Sequence, residues 1–230
     1  MKTVRENKVS VNILQRFIWS NRCRLCAKVI PVNDTLCEDC KPDKIRIPES
    51  FFATKVYSAK TFDKSTSPFF YKSPVREGIH NLKYREFKRS AEYLAKEMID
   101  VIERDFRDEE PDFITCVPMS KRRKKQKSYN QCDYLIRHIG KAFGMKTASD
   151  LIIKIKDTPT QVNLKHNERL TNLKGAFTVN KKYDIKGKTV LLCDDVITTG
   201  STLSECSKAL KKAGASRVIC VTAAVNHNDN

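Results

Sequence analysis

The chain has 230 residues, 40% of them hydrophobic and 31% charged, which is enough for one α/β domain with a small appendage. A disordered tail, a collagen-like repeat and a disulfide-stapled miniprotein are excluded. Lysine and arginine number 44 against 27 aspartates and glutamates, and the formal charge of +17 points to a polyanionic partner: nucleic acid, a phosphorylated small molecule or an anionic membrane surface.

In chain order, the opening twenty residues read as a short amphipathic helix with Leu14, Phe17 and Ile18 facing inward. Asn12, Gln15 and Arg16 interrupt its apolar run, so it lacks the core of a secretion signal. No stretch approaches about 18 consecutive apolar residues, so no membrane span is expected. These features predict a cytoplasmic protein with reduced thiols, in which paired cysteines serve as metal ligands rather than disulfides. Cys23 and Cys26 form one Cys-x2-Cys pair, Cys37 and Cys40 a second. Each short turn brings two thiolates onto one face, and together they suit one tetrahedral, structural zinc ion. The chain is therefore divided into residues 1–48, an N-terminal helix and four-cysteine zinc module, and 49–230, an α/β domain.

Residues 50–75 carry aromatic and β-branched runs broken by Pro68, which predict short strands or a lid. Apolar positions from Ile79 to Ile102 recur at helical spacing, FITCV (113–117) reads as a buried strand, and a second helix is expected from about Tyr129 to Phe143. Strands follow at 151–155 and 189–193, a helix from about Thr202 to Ala213 ended by Gly214, and a last strand at 217–224. Strands alternating with helices predict a mainly parallel sheet covered on both faces.

The most informative stretch is LLCDDVITTGST (191–202). An apolar strand ends in Asp194 and Asp195, then comes a hydroxyl-rich loop with one glycine, then a helix. In open α/β sheets the ligand crevice lies at the carboxyl ends of the strands, where this loop falls. Thr198, Thr199, Gly200, Ser201 and Thr202 offer backbone N–H groups and hydroxyls at a helix start, which suits a phosphate monoester. Asp194 and Asp195 are placed to accept hydrogen bonds from vicinal hydroxyls or to hold Mg²⁺ through water. A phosphate and a diol at this separation describe a ribose 5-phosphate. Thr202 and Glu205 also have the spacing of a capping box. Neither a P-loop nor a dinucleotide-binding glycine motif is present.

This stretch resembles the diphosphoribose-binding signature of the type I phosphoribosyltransferases. Joined to an N-terminal four-cysteine module, the chain resembles the ComF family, phosphoribosyltransferase-like proteins linked to DNA uptake in competent bacteria. The resemblance implies a type I phosphoribosyltransferase fold, 5-phosphoribosyl 1-diphosphate as ligand, Mg²⁺ as cofactor and other competence proteins as partners. It also implies that Pro118, Met119, Ser120 and Lys121 cradle pyrophosphate, and that Gln161 and Arg169 lie on a flexible loop that closes over the diphosphate. Family members carry an R-G-F-N-Q motif where this chain has Lys127-Ser128-Tyr129-Asn130-Gln131. No general base is evident: some relatives place an acid where Thr198 stands, and the acceptor is unreadable.

The run KRRKKQK holds six cations, Lys121, Arg122, Arg123, Lys124, Lys125 and Lys127, more than one diphosphate needs. Its sharper reading is a salt-dependent grip on single-stranded DNA or other nucleic acid; its plainer one is a solvated face. Two function classes follow: an enzyme transferring a phosphoribosyl group, and a nucleic-acid-binding accessory protein whose phosphoribosyl site senses ligand or is vestigial. The four histidines show no metal-ligand spacing, and Cys116, Cys132, Cys193, Cys206 and Cys220 read as core residues.

Overall fold

The aliphatic runs VLLC and VICV have the composition of strands buried on both faces, and the apolar stripes between them repeat at helical spacing. A computed structural model describes residues 21–48, 51, 61–84, 88–119, 129–156 and 173–226. The elements are β1 (Lys64–Thr66), β2 (Phe69–Phe70), α1 (Val75–Tyr84), α2 (Lys88–Asp105), β3 (Phe113–Cys116), α3 (Gln131–Phe143), β4 (Lys146–Thr147), β5 (Ile152–Lys154), β6 (Phe177–Val179), β7 (Thr189–Ile197), α4 (Ser201–Lys212) and β8 (Arg217–Val225). The opening amphipathic helix expected from the sequence lies outside the described residues.

The main sheet runs β1-β8-β7-β3-β4, with β2 also beside β8, and every pairing in it is parallel. Successive strand residues point to opposite faces. Leu191, Cys193, Ile219 and Val221 join Ile114 and Cys116 under the α1–α3 layer, against Leu82, Leu94, Met98, Leu135 and Ile139. Val190, Leu192, Val218 and Cys220 face the other way, against Leu203, Cys206 and Leu210 of α4. Each of the valine, leucine, isoleucine and methionine side chains among them contributes roughly 1.5–3 kcal/mol by leaving water. All five cysteines assigned to the core are buried.

Two expectations change. The strand at 151–155 does not enter the parallel sheet: β5 pairs antiparallel with β6 in a separate two-stranded unit. Its burial is one-sided, with Ile152 buried while Ile153 and Ile155 are exposed, a pattern that suits an antiparallel pair. The helical stripe from Ile79 to Ile102 is carried by two helices, α1 and α2.

The cysteine segment packs on this body. Leu25 is fully buried in the cluster that also holds Val75, Ile79 and Leu82, and its backbone carbonyl accepts from Asn81 Nδ2 at 2.7 Å. Ser90 Oγ donates to the Arg24 carbonyl at 2.5 Å. Gly78 on α1 leaves room for Leu25, since a Cβ there would collide with Leu25 Cδ2.

Candidate functional site

Parallel pairing brings the carboxyl ends of β3 and β7 together. Cys116 pairs with Cys193, and the Val117 N–H donates to the Cys193 carbonyl at 3.0 Å. Buried Pro118 and half-buried Met119 therefore leave the sheet beside Asp194 and Asp195. Both aspartates lie within β7 rather than after it, because the strand extends to Ile197.

Asn130 fixes the neighbouring helix. Its side-chain oxygen accepts the Cys132 N–H at 3.2 Å as the N-cap of α3, and its Nδ2 donates to the Val117 carbonyl at 3.0 Å. That anchor aims the next side chain into the site: Gln131 Nε2 donates to Asp195 Oδ2 at 2.8 Å. Lys83 of α1 reaches the other oxygen, with Nζ 2.9 Å from Asp195 Oδ1. Asp195 continues the Leu191 and Cys193 row, which explains why its partners come from the α1–α3 layer.

The two carboxyls are thus unequal. Asp194 Oδ1 accepts the Asp195 N–H at 2.8 Å and lies 3.8 Å from the Cys132 thiol. Burial, and then the Asp195 charge beside it, push Asp194 up to about 7. Lys83 is itself raised: burial works to lower it, but the carboxylate of Asp195 outweighs that and holds the ammonium charged. Burial, reinforced by Asp195 and Asp194, pushes the Cys132 thiol well above its ordinary value, so it stays protonated.

The phosphate loop follows directly. Gly200 adopts φ 79°, a left-handed conformation that suits glycine, and serves as the N-cap of α4. The Ser201 N–H donates to Thr199 Oγ1 at 3.3 Å, and the two hydroxyls lie 2.6 Å apart. The helix begins at Ser201, so Thr202 sits inside the first turn and the expected capping box does not form. Glu205 instead accepts the Gly175 N–H at 3.2 Å and pairs with Lys208. The structure thus gathers Pro118, Met119, Asp194, Asp195 and the loop from Thr198 to Thr202 at one edge of the sheet. Ser120, Lys121, Arg122, Arg123, Lys124, Lys125, Lys127, Gln161 and Arg169 lie outside the described residues.

Lys83 was not singled out from the sequence, although a signal exists. It stands four residues after Ile79 and eight after Val75, a cation on the buried stripe of α1.

The second cluster is the cysteine quartet. The four Sγ atoms of Cys23, Cys26, Cys37 and Cys40 lie within 4.8 Å of one another, with Cys26 and Cys37 at 3.7 Å, and all four thiols are free. Cys23 and Cys40 are buried, Cys26 and Cys37 half-buried. Burial opposes ionisation of Cys23, but the backbone N–H groups of Cys26, Cys37 and Leu25 outweigh it and bring the thiol to about 7. Burial and its cysteine neighbours push Cys40 strongly upward. Four converging sulfurs, one of them with its thiol lowered towards neutrality, fit a tetrahedral metal ion such as zinc.

A family model described as phosphoribosyl transferase domain matches residues 95–230. The DNA utilization protein YhgH of Salmonella typhimurium is 28% identical over 199 residues, 85% of this chain and 86% of that protein. Competence protein F of Haemophilus influenzae is 37% identical over 109 residues, 47% of this chain and 48% of its own. Competence protein ComFC of Bacillus subtilis is 22% identical over 197 residues, 86% of this chain and 74% of its own. These relatives agree with the resemblance carried by the acidic pair, its loop and the cysteine quartet.

Proposed function

We propose, on the premise that this chain belongs to the phosphoribosyl transferase domain family, that it binds 5-phosphoribosyl 1-diphosphate with Mg²⁺ and transfers the phosphoribosyl group in the handling of incoming DNA. The observation that carries this reading is the juxtaposition of Asp194 and Asp195 with the Gly200 loop at the carboxyl edge of the sheet. The Thr198–Thr202 loop would take the 5-phosphate, and the two carboxyls would accept the ribose hydroxyls. Pro118, Met119, Ser120 and Lys121 would border the diphosphate, with Gln161 and Arg169 on the loop that covers it.

Bond cleavage at the anomeric carbon releases pyrophosphate and develops positive charge on the ribose ring. Asp194 and Asp195, on the ribose side, would stabilise that charge. The metal's chemistry is to neutralise the departing diphosphate; the chain's own residues fix the phosphate and orient the sugar. One zinc on Cys23, Cys26, Cys37 and Cys40 would hold the N-terminal module, with 1–48 and 49–230 as the two units of the chain. We place the protein in the cytoplasm; among the described residues no helix is long and apolar enough to cross a membrane.

A second reading rests on Thr198, which holds no proton-accepting group at neutral pH where some relatives have an acid. In it the site binds the ligand without turnover, and the Lys121–Lys127 run grips nucleic acid. Calorimetry with 5-phosphoribosyl 1-diphosphate, with and without Mg²⁺, tests binding; a pyrophosphate-release screen over bases, amines and DNA separates the two. Binding without release selects the second reading with a ligand-sensing site, and absence of binding refutes the enzyme and leaves the second reading with a vestigial site.

A further inference from the structure

We propose that Lys83 is the resident countercation of the acidic pair, holding Asp195 aimed at ribose hydroxyls and keeping a divalent cation from binding Asp195 directly. The assignment deepens the phosphoribosyl reading of this site and rests on it for the identity of the diol.

Both oxygens of Asp195 are engaged, Oδ1 by Lys83 Nζ at 2.9 Å and Oδ2 by Gln131 Nε2 at 2.8 Å. Their side chains are largely shielded, 24% exposed for Lys83 and 10% for Asp195. Solvent therefore does little to screen the pair, and neither charge is well tolerated without the other. Cys132, Asp194 and Asp195 present ligand atoms within 4.8 Å of one another, a spacing that a metal ion can use. The surroundings oppose it. Mg²⁺ binds carboxylate oxygen at about 2.0–2.1 Å, and a dication at that distance from Oδ1 would lie against the Lys83 ammonium. Asp194 Oδ1 already receives the Asp195 N–H at 2.8 Å and has the Cys132 sulfur 3.8 Å away.

Hydroxyls meet no such obstacle. Each carboxylate oxygen has two lone pairs, so a ribose O–H can donate to Asp195 without displacing Lys83 or Gln131. Lys83 thus sorts the ligands of this site, admitting neutral donors and excluding bare cations. Any Mg²⁺ accompanying the diphosphate then approaches from the ligand's side.

The test uses the full, zinc-loaded chain with Mn²⁺ alone as the probe, read by electron paramagnetic resonance. Wild type is expected to show no Mn²⁺ site tighter than about 1 mM, and Lys83→Met to gain one at least about tenfold tighter. Adding Asp195→Asn to Lys83→Met should remove that site, and Lys83→Arg should behave as wild type. Equal Mn²⁺ binding by wild type and Lys83→Met overturns the assignment. Should Lys83→Met fail to fold, the added Asp195→Asn must restore folding by removing the unpaired carboxylate; no restoration also overturns it. Calorimetry of wild type with 5-phosphoribosyl 1-diphosphate is run in parallel. If it shows no binding while Lys83→Met gains Mn²⁺, the phosphoribosyl reading fails and the countercation role stands.

Discussion

The cysteine quartet and the aspartate pair are both clusters of metal-capable side chains, yet they obtain their counter-charge in opposite ways. The quartet is local in sequence, four sulfurs of one type between Cys23 and Cys40, and a bound metal ion would balance the charge of its thiolates. The pair is adjacent in sequence, but its cation is Lys83, 112 residues before Asp195, and its amide partner Gln131 lies 64 residues before it. A cluster of four converging thiols would be completed by a metal. A cluster that carries its own cation is prepared for a ligand instead. Helix α1 joins the two regions, with Gly78 and Asn81 against Leu25 and Lys83 against Asp195.

The strongest way to break this contrast is to remove the metal from one side of it. Native protein should contain one zinc per chain by elemental analysis, lost in Cys23→Ser with Cys37→Ser. Structural zinc contributes about 10–16 kcal/mol in small fingers, against about 5–15 kcal/mol for a whole domain. Chelation should therefore unfold the module. Because Cys23 and Leu25 share a core cluster with Ile79 and Leu82, the melting temperature of the rest should fall as well. Zinc-free native protein of unchanged stability would end the metal assignment.

The next effect belongs to the pair. Asp194→Asn with Asp195→Asn should abolish binding of 5-phosphoribosyl 1-diphosphate and also lower the melting temperature, because Lys83 loses its carboxylate; adding Lys83→Met should recover the stability but not the binding. Each lost charge-assisted hydrogen bond costs about 1.5–3 kcal/mol, so two make roughly two to four decades of affinity. Inorganic phosphate should still bind the Thr198–Thr202 loop, since its donors are untouched. Calorimetry with both ligands reads the difference, and a double variant that binds the diphosphate like wild type sinks the assignment.

The two regions also differ in how much of them the sequence discloses. Cys-x2-Cys twice is complete information, because all four donors lie in one short segment and the spacing sets their convergence. The acidic pair and the Gly200 loop are equally legible, being contiguous. Lys83, Gln131 and Cys132 are not, since only the stacking of α1 and α3 on β7 brings them to Asp194 and Asp195. The same holds for the fold. The strand β8 and the helices α3 and α4 follow from periodicity within a residue or two, whereas β7 runs four residues past its expected end at 193, because its ladder with β8 continues past Asp194 and Asp195 to Ile197. The antiparallel placement of β5 depends on its pairing with β6, which no local pattern encodes. The capping-box spacing misleads for a related reason: Thr202 and Glu205 have the right separation, but Gly200 takes a positive φ and starts the helix earlier.

A smaller effect sharpens the inequality within the pair. A carboxyl held at about 7 rather than its usual value near 4 carries a penalty on its ionised form of about 4 kcal/mol at most. The folded state binds this proton more tightly than the unfolded state does. Stability from this group is therefore full below about pH 4 and declines as pH rises to about 7. Asp63 and Asp105 are lowered instead: burial opposes this in both, but Val218 N–H and Lys211 outweigh it for Asp63, and Arg104 and Thr66 for Asp105. Their contributions are lost only as pH falls below the ordinary carboxylate range, outside this window. Asp194→Asn should flatten the slope between pH 4 and 7 and raise the melting temperature at pH 8. An unchanged slope in urea unfolding across that range would show that Asp194 ionises normally.

The smallest effect probes whether α1 transmits strain between the two regions. A Cβ at Gly78 must push aside the Leu25 side chain, which is fully buried. Overpacking of this kind costs about 1–3 kcal/mol, and alanine in place of a helical glycine returns about 0.5–1 kcal/mol, leaving a net loss of roughly 0–2.5 kcal/mol for Gly78→Ala. Leu25→Ala alone should cost about 2–5 kcal/mol through the cavity it leaves. The two together should cost less than their sum, because the new methyl fills part of that cavity. Zinc content should not change, since neither residue is a ligand. If α1 is the rod between module and site, Gly78→Ala should also weaken binding of 5-phosphoribosyl 1-diphosphate slightly, by displacing Lys83 from Asp195, and the added Leu25→Ala should restore it. Strict additivity in denaturant melts would show that Gly78 and Leu25 relax independently, and α1 would then be no more than a spacer between two separate sites.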